Sequence, residues 1–196
     1  MADLPKKRAD AQRNTEALLH AAMTVFAREG VDAGVRQIAE EAGVGVGTVY
    51  RHFPHRSDLI IAVFRREVDA CAEAAVALAA EYPPGEALAH WVQRFVDFIS
   101  AKRGLAAALH SGQAAYEPLP DYFNDQLRPA MRMLLSAAEA AGEVRPGVDP
   151  NDLLTAVASL CGPRPGTDPE HPQRMVALLI DGLRSGTTSA TGIPAV

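Results

Sequence analysis

Apolar residues recur along most of this chain at helical spacing. Leu18, Ala22, Val25 and Phe26 fall at i, i+4, i+7 and i+8, which lays one apolar stripe on a first helix. Gly30 is placed to end it, because glycine accepts the left-handed conformation of a helix C-terminus. Val35, Ile38, Ala39 and Ala42 make a short second stripe that stops at Gly43. Val46, Val49, Tyr50 and Phe53 make a third, stopped by Pro54, which cannot continue a helix. Ser57 as N-cap, with Asp58 in the first turn, predicts a long fourth helix to about Ala80. Ile60, Val63, Phe64, Val68, Cys71, Ala75 and Leu78 form its inner face. Further helices are expected over about 86–102, 105–110, 121–141, 151–161 and 172–183. The run from Cys161 to Glu170 holds three prolines and two glycines and must be a loop. Residues 186–196, rich in Ser, Thr and Gly, read as a flexible tail. No segment alternates with the period of a strand, so the expected fold class is all-α.

Composition narrows the function classes. The chain has 196 residues, 48% hydrophobic, enough to build a real core and too apolar for a disordered chain. Cys71 and Cys161 are too few for a disulfide framework or a cysteine-rich zinc module. The polar N-terminus lacks the apolar stretch of a signal peptide, and the longest pure apolar run, Ala74 to Ala80, is too short to span a bilayer. The expectation is a cytoplasmic protein with no membrane partner. No nucleophile–base pair or metal-ligand spacing stands out, so no catalytic residue, metal or cofactor is assigned and the chain is not read as an enzyme. His52 and His55 at i, i+3 lack a third ligand nearby, and Pro54 lies between them.

The formal net charge of −5 excludes a polycation that coats nucleic acid by charge alone. It is unevenly spread. Residues 1–56 hold 8 Lys/Arg and 7 Asp/Glu, whereas residues 57–196 hold 11 and 17. A slightly basic head on an acidic remainder suggests two jobs.

The informative segment is Val35 to Phe53. Two short helices flank Ala42-Gly43-Val44-Gly45, and the glycine permits a positive-φ turn that lets the second cross the first steeply. Ala39 is small where the helices would touch, with Gly43 four residues later and apolar Val49 six after that. Ile38, Val44 and Val49 would fill the small core between them. That spacing describes a helix-turn-helix, whose second helix enters the DNA major groove. The same glycines resemble a dinucleotide fingerprint only superficially. Thr48 stands at its last glycine, and a helix precedes it where a strand is required.

Residues 13–64 resemble the DNA-binding domain of the tetracycline-repressor (TetR) family. The carrying residues are Leu18 to Ala22, Val25 to Gly30, Val35 to Ala39, Ala42 to Val44, and above all the run Gly45 to Pro54 (GVGTVYRHFP), followed by Arg56 and Leu59. The resemblance implies a three-helix helix-turn-helix domain over residues 13–56, preceded by a flexible arm (1–12). A larger helical ligand-binding and dimerisation domain follows over 57–185. It implies that Val46, Gly47, Thr48 and Tyr50 face the groove with Arg51 close by, and that Arg36 reads a base. His52, His55 and Arg56 would contact phosphates, which position without reading sequence. Lys6, Lys7 and Arg8 are candidates for an arm on phosphate or minor groove. The chain departs from the family at Ala33 and Gly34, where many members carry Thr or Ser that cap the second helix and touch phosphate, and at Gly45, which replaces a frequent Ser.

An all-helical domain of this size can enclose an apolar pocket with a few polar groups. Candidate lining residues are Trp91, Phe95, Phe98, Leu109, Tyr116, Tyr122, Phe123 and Met131. Trp91 and the tyrosines join an apolar body to a polar tip. The last two helices, with Leu153, Leu154, Val157 and Leu160, then Val176, Leu179, Ile180 and Leu183, resemble the pair that dimerises family members. The expected protein is a ligand-responsive transcriptional regulator, a repressor that releases a pseudopalindromic operator when an unknown small molecule binds. The alternative is an architectural, effector-independent DNA binder.

Overall fold

A computed structural model describes residues 4–102, 105–162, 168 and 170–185. Helices run over Leu4–Glu29 (α1), Val35–Glu41 (α2), Val46–His52 (α3), Arg56–Glu81 (α4), Pro84–Lys102 (α5), Ala106–Leu109 (α6), Leu119–Ala140 (α7), Pro150–Leu160 (α8) and His171–Ser185 (α9). A 3-10 turn covers Ala114–Tyr116. The described residues contain no strand, as the periodicity predicts. α1 extends back to Leu4, so helical backbone covers residues 4–12, where an arm is expected from the sequence. The expected tail at 186–196 lies outside the described residues.

The chain divides into two compact units. The first comprises the residues up to Glu67 together with Ala101–Tyr122. The second comprises Val68–Ser100 and the residues from Phe123 onward. α4, α5 and α7 each supply residues to both, so the division does not follow a single linear boundary at residue 56.

In the first unit the inward stripe of α1 is Leu18, Ala21, Ala22, Val25 and Phe26, all buried. Ile38 and Ala39 of α2, Val49 of α3, and Leu59, Ile60, Val63 and Phe64 of α4 are buried with them. α2 ends in a motif that fixes the helix-turn-helix angle. Gly43, at φ +66°, donates its N–H to Glu40 O at 3.1 Å, and Val44 N–H returns to Ala39 O at 2.9 Å. This double bond pattern satisfies carbonyls that a helix end leaves without partners, and only glycine holds its central conformation cheaply.

In the second unit Trp91 is fully buried and its indole N–H donates to Cys71 O at 2.8 Å. Phe95 stacks beside it at 5.7 Å, and Phe98 and Phe123 continue the group at 6.0–6.1 Å. α8 opens on Asp149, whose carboxylate accepts from Asn151 N and Asp152 N, with Pro150 at the first helical position. Leu153, Leu154 and Val157 of α8 and Val176, Ile180 and Leu183 of α9 are buried within the chain. Of the eight apolar residues expected at a dimer contact, six therefore belong to the chain's own core. Leu178 instead stands 64% exposed on α9.

Candidate nucleic-acid interface

Spacing groups Val46, Val49, Tyr50 and Phe53 in one apolar stripe, but α3 sets Val46 and Tyr50 apart from Val49. Val49 points inward and is buried, while Val46 and Tyr50, one turn apart, are 36% and 53% exposed. Tyr50 therefore belongs to the outer face rather than to the core. A Cβ built on Gly47 would meet nothing within 4 Å, so that position is open beside them. Thr48 is half-buried, and its N–H donates to Gly45 O at 2.8 Å in the first turn. Arg51 folds back along the helix, with Nε donating to Gly47 O at 3.2 Å and Nη2 to Thr48 Oγ1 at 3.4 Å. His52 is exposed and its Nδ1 lies 3.3 Å from Thr15 Oγ1 of α1.

α2 begins at Gly34, which has no side chain to cap the helix. Gln37 takes over part of the task, its Oε1 accepting from Gly34 N at 2.7 Å. The same amide donates to Glu29 at the end of α1. Arg28 meets Glu29 at 3.0 Å and Glu41 at 3.7 Å, so charged side chains link the ends of α1 and α2. Arg36 is exposed and makes no hydrogen bond or ion pair with any described residue. Its guanidinium is available to an outside partner.

Two expectations change at the start of α4. The cap is His55 rather than Ser57, with the Asp58 carboxylate accepting from His55 N at 3.0 Å. Arg56 departs from its expected place on phosphate. Its Nε donates to Val31 O at 2.6 Å, and its Nη2 donates to Val31 O and Ala33 O. The long arginine side chain turns inward because these two carbonyls, in the turn between α1 and α2, need donors that no helix supplies.

The expected ligand-lining residues fall in different units. Trp91, Phe95, Phe98, Phe123 and Met131 belong to the second, and Leu109, Tyr116 and Tyr122 to the first. The first set holds the aromatic stack. In the first unit Tyr116 is buried, and burial pushes its phenol above the usual range, partly opposed by the charge of Arg56. Arg65 lies 4.9 Å over the Tyr122 ring, and Lys102 lies 5.5 Å from the Phe64 ring. Burial holds the Lys102 amine below its usual range. The sequence reading missed Gln37, Glu29 and Lys102. A glutamine three residues after a glycine at a helix start was the available signal for the first.

Comparison with known proteins agrees with this geometry. Residues 18–63 match the family model for bacterial regulatory proteins of the tetR family, and residues 83–185 match that for the C-terminal domain of SbtR-like transcriptional regulators. A TetR transcriptional regulator from Streptomyces coelicolor is 39% identical, with a TM-score of 0.74 over 86% of this chain and 97% of that one. A TetR regulatory protein from Mycobacterium vanbaalenii is 35% identical, with a TM-score of 0.74 over 90% and 98%. An HTH-type transcriptional regulator from Staphylococcus aureus (strain USA300) is 41% identical over 63 residues, which is 32% of this chain. The chain covers only 34% of the length of that curated relative. No described helix is long and apolar enough to cross a membrane. With a helix-turn-helix head and a helical remainder that both match, the chain belongs to the TetR family of DNA-binding transcriptional regulators.

Proposed function

We infer that this regulator is a ligand-responsive repressor that releases a pseudopalindromic operator when a small molecule binds. The observation that carries the DNA half of this reading is the outer face of the head. Val46, Gly47 and Tyr50 lie open on α3, and Arg36 stands unpartnered on α2. Arg36 can form the bidentate bond to guanine that is the commonest specific contact, worth about 1–3 kcal/mol. Val46 offers an apolar surface to a thymine methyl. His52 and His55 serve the backbone.

Ligand response is read as a population shift. A small molecule favours a state in which the two heads of a homodimer no longer match the groove repeat. α4 is the connector in this reading, because it supplies residues to both compact units. Dimerisation is assigned to α8 and α9, through their outward faces.

The test is footprinting of the purified protein on DNA upstream of its own gene, with gel-shift titration of Arg36→Ala and Tyr50→Ala. The reading expects a protected inverted repeat and at least about tenfold weaker binding by Arg36→Ala. Wild-type affinity in both variants sinks the site assignment. Binding that is salt-dependent but indifferent to sequence would instead favour an architectural protein.

A further inference from the structure

Its place just beyond the reading helix makes Arg56 an expected phosphate contact, and its geometry points elsewhere. Its Nε and Nη2 hold Val31 O and Ala33 O. Among the described residues no backbone N–H reaches either oxygen, so this guanidinium is what satisfies them. Val31 and Ala33 bury their side chains, which pins the turn from the other side. One residue later Gly34 opens α2, and Arg36 stands in its first turn.

The placement matters because α2 is short. A helix of seven residues has little stability of its own, so its direction is set by what holds its ends. Gln37 and Glu29 hold the entry to α2 at one place, and Arg56 holds the preceding turn at another. Arginine suits this task in a way lysine does not. Its planar fork engages two acceptors at once, whereas an ammonium is a point charge.

We propose that Arg56 is a positioning residue for operator recognition, fixing the turn before α2 at two carbonyls and thereby setting how Arg36 meets base edges. This rests on the reading of Arg36 as a base contact. Arg56 also lies near enough to buried Tyr116 for its charge to act there.

The experiment uses the full chain and two duplexes. One is selected by the wild-type protein from a random-sequence library, and the other is a scrambled duplex of equal length and composition. Arg56→Lys, Arg56→Ala, Arg36→Ala and the double variant Arg36→Ala/Arg56→Lys are titrated at several salt concentrations, with melting curves to check the fold. Arg56→Lys is expected to weaken the selected duplex about tenfold while the scrambled one stays within about twofold, at an unchanged salt slope. In the Arg36→Ala background it is expected to add less than about twofold, because both act through one contact.

A phosphate ligand would behave differently. Arg56→Lys would bind as wild type and Arg56→Ala would flatten the salt slope, which overturns the proposal. Equal losses on both duplexes overturn it too, since they mark general damage to the head. Additive losses in the double variant overturn the proposal alone, leaving Arg36 as a base contact. Wild-type affinity in Arg36→Ala removes the base contact, and the proposal with it.

Discussion

Tyr116 shows how burial changes what one side chain does. Its phenol is held above the ordinary range, chiefly by burial and despite the nearby charge of Arg56. The folded state therefore keeps this proton after the unfolded chain has released it. The stability this gives is complete below about pH 10 and is lost as pH rises toward the folded value. Tyr116→Phe should flatten the alkaline limb of stability, read as urea midpoints between about pH 9 and 11. An equally steep decline in the variant would show that Tyr116 does not contribute. Spacing put Val46, Val49 and Tyr50 on one apolar stripe, of which the fold buries only Val49. It did not place Arg56, since a long side chain reaches either an outside phosphate or an inside carbonyl from the same backbone position.

Helix ends carry much of the order in this chain. At the end of α7, Gly142 (φ +70°) donates to Glu139 O and Glu143 N–H returns to Ala138 O. That turn delivers the Glu143 carboxylate to Gly85 N at 2.7 Å, in the first turn of α5. Arg184 of α9 donates to Gly85 O at 2.9 Å, so three segments of the second unit meet there. A carboxylate on the amides that open a helix stabilises it by capping and by the helix dipole. Glu143→Ala should cost about 1 kcal/mol, measured by urea denaturation. No loss would mean that water replaces the carboxylate. The helices α1 to α5 were legible from periodicity and breakers. The 3-10 turn at Ala114–Tyr116 was not, because three residues are too few to show a period.

For the protein as a whole, the charge of −5 is compatible with DNA binding because the deficit falls after residue 56. Among the described side chains of the head few cations are free, and Arg56 is engaged with backbone carbonyls. A dimer touching about five phosphates would show a log–log salt slope near −4 to −5. A slope near about −10, typical of a far more basic interface, would contradict this account. Leu178 is a large exposed apolar side chain on α9, in contrast to buried Val176, Ile180 and Leu183. If α9 forms the dimer contact by its outward face, Leu178→Asp should convert a dimer to a monomer in sedimentation and weaken operator binding with it. A variant that remains dimeric would move the interface elsewhere.

The order of residues was sufficient for the all-α class and for the helix-turn-helix at 35–53. These follow from local rules: a 3.6-residue period, breakers at Gly43 and Pro54, and a turn that glycine permits. Which partner each long or polar side chain takes was decided by residues distant in sequence. Arg56 finds carbonyls 25 and 23 positions away, Trp91 a carbonyl 20 away, and Glu143 an amide 58 away. A polar group pairs with whatever the fold brings within reach, and no periodicity along the chain encodes that meeting.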